Sequence, residues 1–265
     1  MTVRSTILAL VVPLAVAAGT VAMAQSAPVR FDFGQPYIGG GLPGGEMLVG
    51  PPPADGSMAL QRDMAASAAL LARGPGPRWQ MAANDADLGP GWFTRAFSCA
   101  AGRVIDDTAT PQTARLLRRA AADFGSSTSK VKDQYMRLRP FMSNDAPTCT
   151  PGDEAALRGN GSYPSGHAAI GYGTGLLLAS LLPDRTAQLA GRGTAFARSR
   201  AVCNVHWLSD TEAGEAIAAA TFARLHANDA FRADWGAARA ELAAVQPVPV
   251  DVAKCAAEAA ALAQF

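Results

Sequence analysis

Three stretches, far apart in the chain, hold residue types that could seat an anion and move a proton. The first is Gly161-Ser-Tyr-Pro-Ser-Gly-His-Ala-Ala-Ile170, broken by Gly161, Pro164 and Gly166 and followed by an apolar run from Ala168 to Leu182. This is the pattern of a tight loop feeding a buried helix, with Ser165 marking its start and Pro183 its stop. The first N–H groups of a helix lack internal partners and carry the positive end of its dipole, so Ser165 and Gly166 offer a seat for an oxyanion or a phosphate. His167, in the first turn, is placed to give a proton to whatever the seat holds.

The second stretch carries Lys132 and Arg139, seven residues apart. On a helix that spacing is two turns and puts both cations on one side, with Pro140 ending the helix. The third runs Ser199-Arg200, then His206, then Asp210. A carboxylate four residues after a histidine can hydrogen-bond one imidazole nitrogen, which leaves the other as an unprotonated nucleophile or base. Taken singly, each stretch has an ordinary explanation: a helix cap with a core histidine, a solvated cationic face, a helix-end cation, a structural His–Asp contact. His226, the third histidine, reads as structural within an amphipathic helix. Only joint occurrence turns these pieces into a site.

The elements that must position them read as helices. Ser57 opens a helical pattern that Gly74-Pro75-Gly76-Pro77 stops. Trp79 to Asp87 and Phe93 to Ala101 follow, and Thr110-Pro111 opens a helix running to about Phe124. Ser126 to Ser129 cap the segment KVKDQYMRLRPF. Beyond the central helix, Thr186–Val202, Ser209–Ala227, Asp229–Val245 and Val252–Leu262 are Ala-rich and helical. No run of alternating β-branched residues suggests a strand. The expected fold is all-α, a compact helical bundle.

Residues 1–24 read as a signal peptide, with basic Arg4, an apolar stretch from Ile7 to Val21 and a small-x-small site at Ala22-Met23-Ala24. An uncleaved anchor is the alternative. Residues 25–56 read as an irregular Gly/Pro-rich N-terminal arm, packed through Phe31, Phe33 and Tyr37, and residues 57–265 as the helical domain. The chain has 23 Lys and Arg against 22 Asp and Glu, and cleavage removes only Arg4, leaving no formal charge. Nucleic acid is thereby disfavoured as a partner. Four cysteines (Cys99, Cys149, Cys203, Cys255) in an oxidising compartment imply two disulfides, with three pairings open. Their wide spacing argues against a zinc site.

Together, K-x6-RP, PSGH and SR-x5-H-x3-D resemble the three-part signature of the type 2 phosphatidic acid phosphatase superfamily, and all eleven fixed positions are filled. YMRLRPF, PTCTPGDEAALRGNGSYPSGH and SRAVCNVHWLSD are further similar to the secreted class A non-specific acid phosphatases of bacteria. The likeness runs from Trp79 to Phe231, more loosely back to Ser57, and leaves out the C-terminal tail. Ala168 stands where that class usually has Thr, and Asn204 where it usually has Gly.

The resemblance implies a metal-independent phosphomonoester hydrolase, periplasmic or secreted, with no cofactor. Lys132, Arg139 and Arg200 would hold the phosphoryl oxygens with the N–H groups of Ser165 and Gly166. His206 would form a phosphohistidine, Asp210 would orient it, and His167 would protonate the leaving alcohol and then deprotonate water. The implied partners are small phosphate esters, nucleotides among them; self-association into a homo-oligomer and transfer to alcohols are left open.

Other readings fit less well. A serine hydrolase using Ser165 fails the G-x-S-x-G elbow at Tyr163 and His167. Asp85-Ala86-Asp87 has no apolar strand before it, as an aspartyl nucleophile would need. A vanadate-dependent haloperoxidase of the same superfamily would be larger. A phosphate- or nucleotide-binding protein would not need His167, His206 and Asp210.

Overall fold

A computed structural model of the protein describes residues 31–264. The expected signal peptide and the first residues of the arm lie outside them. The described residues form helices joined by turns, with no strand, as the sequence pattern predicts. In chain order the helices are α1 (Gly45–Val49), α2 (Met58–Leu71), α3 (Pro77–Ala86), α4 (Trp92–Ala101), α5 (Pro111–Ser126), α6 (Ser129–Tyr135), α7 (Phe141–Asn144), α8 (Glu154–Arg158), α9 (Gly166–Leu181), α10 (Thr186–Val202), α11 (Leu208–Leu225), α12 (Asp229–Ala244) and α13 (Val252–Leu262). Among them no helix is long and apolar enough to cross a membrane.

The bundle is built around α9, which packs on α10, α11 and α5. Its glycines set the distance. A Cβ on Gly175 would come within 2.8 Å of the Gly193 Cα of α10, so two backbones meet where neither helix has a side chain. The main core fills the space around this axis with Trp92, Phe93, Phe97, Phe124, Phe196 and Phe231, all essentially buried. Burying such side chains contributes about 1.5–3 kcal/mol each, before the entropy of ordering the chain is set against it.

Two smaller clusters flank the catalytic candidates. Phe141, Val202 and Val205 pack together on one side, and Val131, Tyr163 and Ile217 on the other. The cysteines pair as Cys99–Cys255 and Cys149–Cys203, with Cα separations of 5.3 and 4.7 Å. The first bridge ties α13 to the end of α4; the second ties the loop before α8 to the end of α10.

The N-terminal arm is less irregular than its composition suggests. It contains α1, and Tyr37 enters the core, where its N–H donates to Asp123 at 2.7 Å and its hydroxyl to Asp234 at 2.7 Å. Phe31 and Phe33 stack on each other at 5.3 Å, but Phe31 stays half exposed. His226, exposed at the end of α11, has its ring against those of Phe222, Phe231 and Trp235.

Candidate active site

The three stretches meet at one cavity of about 350 Å³, lined by Lys132, Arg139, Gly166, His167, Arg200 and His206 together with Phe31, Phe33 and other residues of the surrounding loops. A larger cavity, about 500 Å³, lies between α10 and α13 and contains no histidine.

Helix α9 starts as its sequence demands. Ser165 is extended, and its Oγ accepts from the Ala168 N–H at 3.2 Å. Its own N–H, expected in the anion seat, instead donates to the Asp210 carbonyl at 2.9 Å. That expectation is corrected: the loop uses this bond to lie against α11, and the first helical N–H free of a partner among the described residues is that of Gly166. Gly214 of α11 makes the approach possible, since a Cβ there would stand 2.5 Å from the Ser165 carbonyl oxygen.

The helix expected to carry both Lys132 and Arg139 is also corrected. Helix α6 stops at Tyr135, Met136 turns left-handed (φ 43°), and Arg139 sits beyond it in irregular chain. The chain leaves helical geometry at Met136, four residues before the stop that Pro140 signals. Both cations reach the cavity from separate elements. Lys132 Nζ donates to the carbonyls of Gly161 (2.7 Å) and Pro164 (2.8 Å), with a weaker contact to Ser162 at 3.4 Å. It thus braces the loop before α9 from below. Burial, reinforced by Arg139, brings its pKa down to about 7.

Arg139 is 2 % exposed and donates to the carbonyls of Leu157, Asn160, Gly161 and Val205. Its Nη1 also lies 3.0 Å from His206 Nε2. A guanidinium can only donate, so Nε2 must be the nitrogen with the free lone pair, and the ring proton sits on Nδ1. Nδ1 faces Asp210 Oδ2 at 3.4 Å, close but not aligned as a hydrogen bond. Burial first, then Arg139, Lys132 and Arg200, hold the His206 pKa well below the usual histidine value. Protonation of the imidazole is thereby disfavoured.

Arg200, in the last turn of α10, is 1 % exposed, and its Nε and Nη1 have no hydrogen-bond partner among the described residues. Burial depresses its pKa to about 10. Two unpaired donors on a buried cation are costly and call for an anion that the protein itself does not supply.

His167 stands in the first turn of α9 with Nε2 3.1 Å from the Ala86 carbonyl. A carbonyl only accepts, so Nε2 carries the proton, and Nδ1 has no protein partner among the described residues. Burial, then Arg200, depresses its pKa well below the ordinary value. Ala86 is held in turn by its neighbour. Asp85, 4 % exposed, pairs with Arg192 at 2.6 Å and accepts from Ser199 Oγ at 2.6 Å. Ser199 thus locks α10 to α3 and does not line the cavity.

The profile of the PAP2 superfamily matches residues 117–232. The chain is 38 % identical over 197 residues to an acid phosphatase of Zymomonas mobilis, covering 74 % of each chain. It is 40 % identical over 193 residues to a non-specific acid phosphatase of Salmonella typhimurium, covering 72 % of this chain and 77 % of that one. A non-specific acid phosphatase of Providencia stuartii is 37 % identical over 198 residues, 74 % and 79 % of the two chains.

The chain belongs to the PAP2 superfamily. The matched PAP2 region includes all three stretches. Neither of the two departures noted in the sequence lines the cavity. Ala168 is fully buried against Gly214. Asn204 holds a left-handed backbone (φ 60°), which explains how it replaces a glycine: Asn tolerates that region. Its side chain exchanges hydrogen bonds with Asn144 at 2.9 and 3.1 Å.

Sequence reasoning missed two residues beside this PAP2 centre. Arg137 Nη1 donates to Asp210 Oδ1 at 2.6 Å, and its Nη2 pairs with Asp63 of α2 at 2.8 Å. Asp63 is 1 % exposed. Its one sequence signal is an isolated acid in an Ala-rich helix, which no spacing rule links to position 210.

Proposed function

We propose that this protein is an exported acid phosphatase that hydrolyses small phosphomonoesters, without a metal, through a phosphohistidine on His206. The observation that carries this reading is Arg200: a buried guanidinium whose Nε and Nη1 find no partner among the described residues, sharing a cavity with a histidine whose Nε2 lone pair is fixed. Among the described residues no group of three His, Cys, Asp or Glu side chains is arranged to hold a metal ion. The cations offer the charge that a transferring phosphoryl group requires.

In the first step the His206 Nε2 lone pair attacks phosphorus and the ester P–O bond breaks. The departing oxygen takes a proton from His167. The phosphorylated ring, still protonated on Nδ1, is cationic and faces the Asp210 carboxylate. In the second step a water oxygen attacks phosphorus, His167 takes its proton, and the P–N electrons return to Nε2 as phosphate leaves. An alcohol in place of water gives phosphotransfer. Export rests on the leader-like residues 1–24 and suits two disulfides.

Initial rates on p-nitrophenyl phosphate, glycerol phosphate and nucleoside monophosphates, with and without EDTA, test the reading. Turnover that survives the chelator and is inhibited by vanadate is expected. Activity lost to EDTA and restored by a divalent ion would overturn the metal-free mechanism.

A further inference from the structure

Two arginines bracket the His206–Asp210 pair. Arg139 meets it at His206 Nε2 and Arg137 at Asp210 Oδ1. Arg137 does not line the cavity and so does not touch substrate. We propose that Arg137 is a positioning residue that keeps Asp210 ionised and aimed at His206, with Asp63 of α2 limiting how much of its charge Asp210 receives. This rests on the acid phosphatase reading above.

The geometry is closed on every side. The Arg137 fork spans Asp210 Oδ1 (2.6 Å), Ser209 Oγ (2.9 Å) and Asp63 Oδ2 (2.8 Å), and its guanidinium lies 5.4 Å from the centre of the Trp207 ring. Asp63 also accepts from the Ser209 N–H at 2.9 Å and the Ser209 hydroxyl at 2.5 Å, so α2 holds the first turn of α11 in place. The remaining groups facing Asp210 are the Trp207 N–H at 2.8 Å, Ser162, Tyr163, Lys132, Arg139 and His206. Burial drives the Asp210 carboxyl toward its neutral form, and Arg137 opposes this most strongly.

The charges explain why a second carboxylate is present. Arg137 alone would neutralise Asp210, leaving little field for the imidazolium that forms when His206 is phosphorylated. With Asp63 included, one cation faces two anions, and the excess negative charge lies beside His206 Nδ1.

The test is the pH dependence of kcat at saturating p-nitrophenyl phosphate for the wild type, Arg137→Gln, Arg137→Lys and Asp63→Asn. Losing the Arg137 charge raises the pKa of Asp210, so the acid limb of Arg137→Gln moves up by about one pH unit. Removing the neighbouring anion in Asp63→Asn moves the limb down. Arg137→Lys keeps the charge but not the fork, giving kcat about 10-fold below wild type with the limb in place. A purely structural strut would lower kcat at all pH values or shift both limbs the same way, and either result overturns the inference. If Arg137→Gln does not fold, Asp63→Asn decides: a downward shift supports the proposal, and no shift or an upward one contradicts it. A wild type that turns over no phosphomonoester would instead remove the acid phosphatase reading beneath it.

Discussion

Arg139 Nη1 lies 3.0 Å from His206 Nε2, a cation donating to the nitrogen that attacks phosphorus in the proposed mechanism. The contact fixes the tautomer before substrate arrives, and it also helps to hold the His206 pKa down. An arriving phosphoryl group must share this donor. Arg139→Lys keeps a charge but cannot serve the carbonyls of Leu157, Asn160 and Val205 together with the phosphate. Its kcat/KM on p-nitrophenyl phosphate should fall by about 10²–10³. A loss smaller than tenfold would show that Arg139 is only a scaffold.

Lys132 makes a prediction about protons. With a pKa near 7 it is largely neutral at pH 8 in the free protein. A phosphate dianion in the cavity favours the charged amine and raises that pKa. Phosphate binding at pH 8 should therefore take up protons, up to about one per site. Calorimetry in two buffers of different ionisation heat reads this directly, and proton release would contradict the assignment.

Burial and then Arg200 disfavour the charged form of His167 in the free protein. Bound phosphate dianion reverses the balance and favours its protonated form, so the basic limb of kcat reports its loss of a proton in the complex. With the coupled His206–Asp210 pair setting the acid limb and a substrate-raised His167 pKa setting the basic one, the maximum falls on the acid side of neutral. His167→Asn should slow alkyl phosphates by about 10²–10⁴ while p-nitrophenyl phosphate, whose leaving group needs little protonation, loses far less. Equal losses on both would remove His167 from the acid role.

Much of this was legible in the sequence because it is written in short-range pattern. Ser165 and Pro183 bounded α9, and the fixed positions of the three stretches named every cation and histidine that reaches the cavity. What was not legible depends on contacts between distant elements. Nothing local says that Met136 turns left-handed and takes Arg139 off its helix. Nor does any spacing reveal that the Ser165 N–H is taken by Asp210, that Ala86 receives His167, or that Asp63 of α2 reaches Arg137. Nor does the local pattern around Asp85 show that it is a buried partner of Arg192, a pairing made where α10 packs on α3.

Gly214 tests whether close packing places the seat. Its added Cβ would stand 2.5 Å from the Ser165 carbonyl and 3.0 Å from Ala168 Cβ, and neither atom is the end of a flexible chain. Gly214→Ala should cost about 1–3 kcal/mol of stability through overpacking. It should also lower kcat/KM, because α9 and its first N–H groups must shift. Thermal unfolding beside kinetics separates the two, and a variant with unchanged Tm and kcat/KM would contradict this account of the seat.

The most direct test is to trap the intermediate. Wild-type protein mixed with a phosphorus-labelled monoester and quenched in alkali during turnover should carry alkali-stable, acid-labile phosphate on His206, and His206→Ala should carry none and turn over no substrate. Label on Ser165, or an unlabelled His206 in an enzyme that is turning over, would contradict the mechanism.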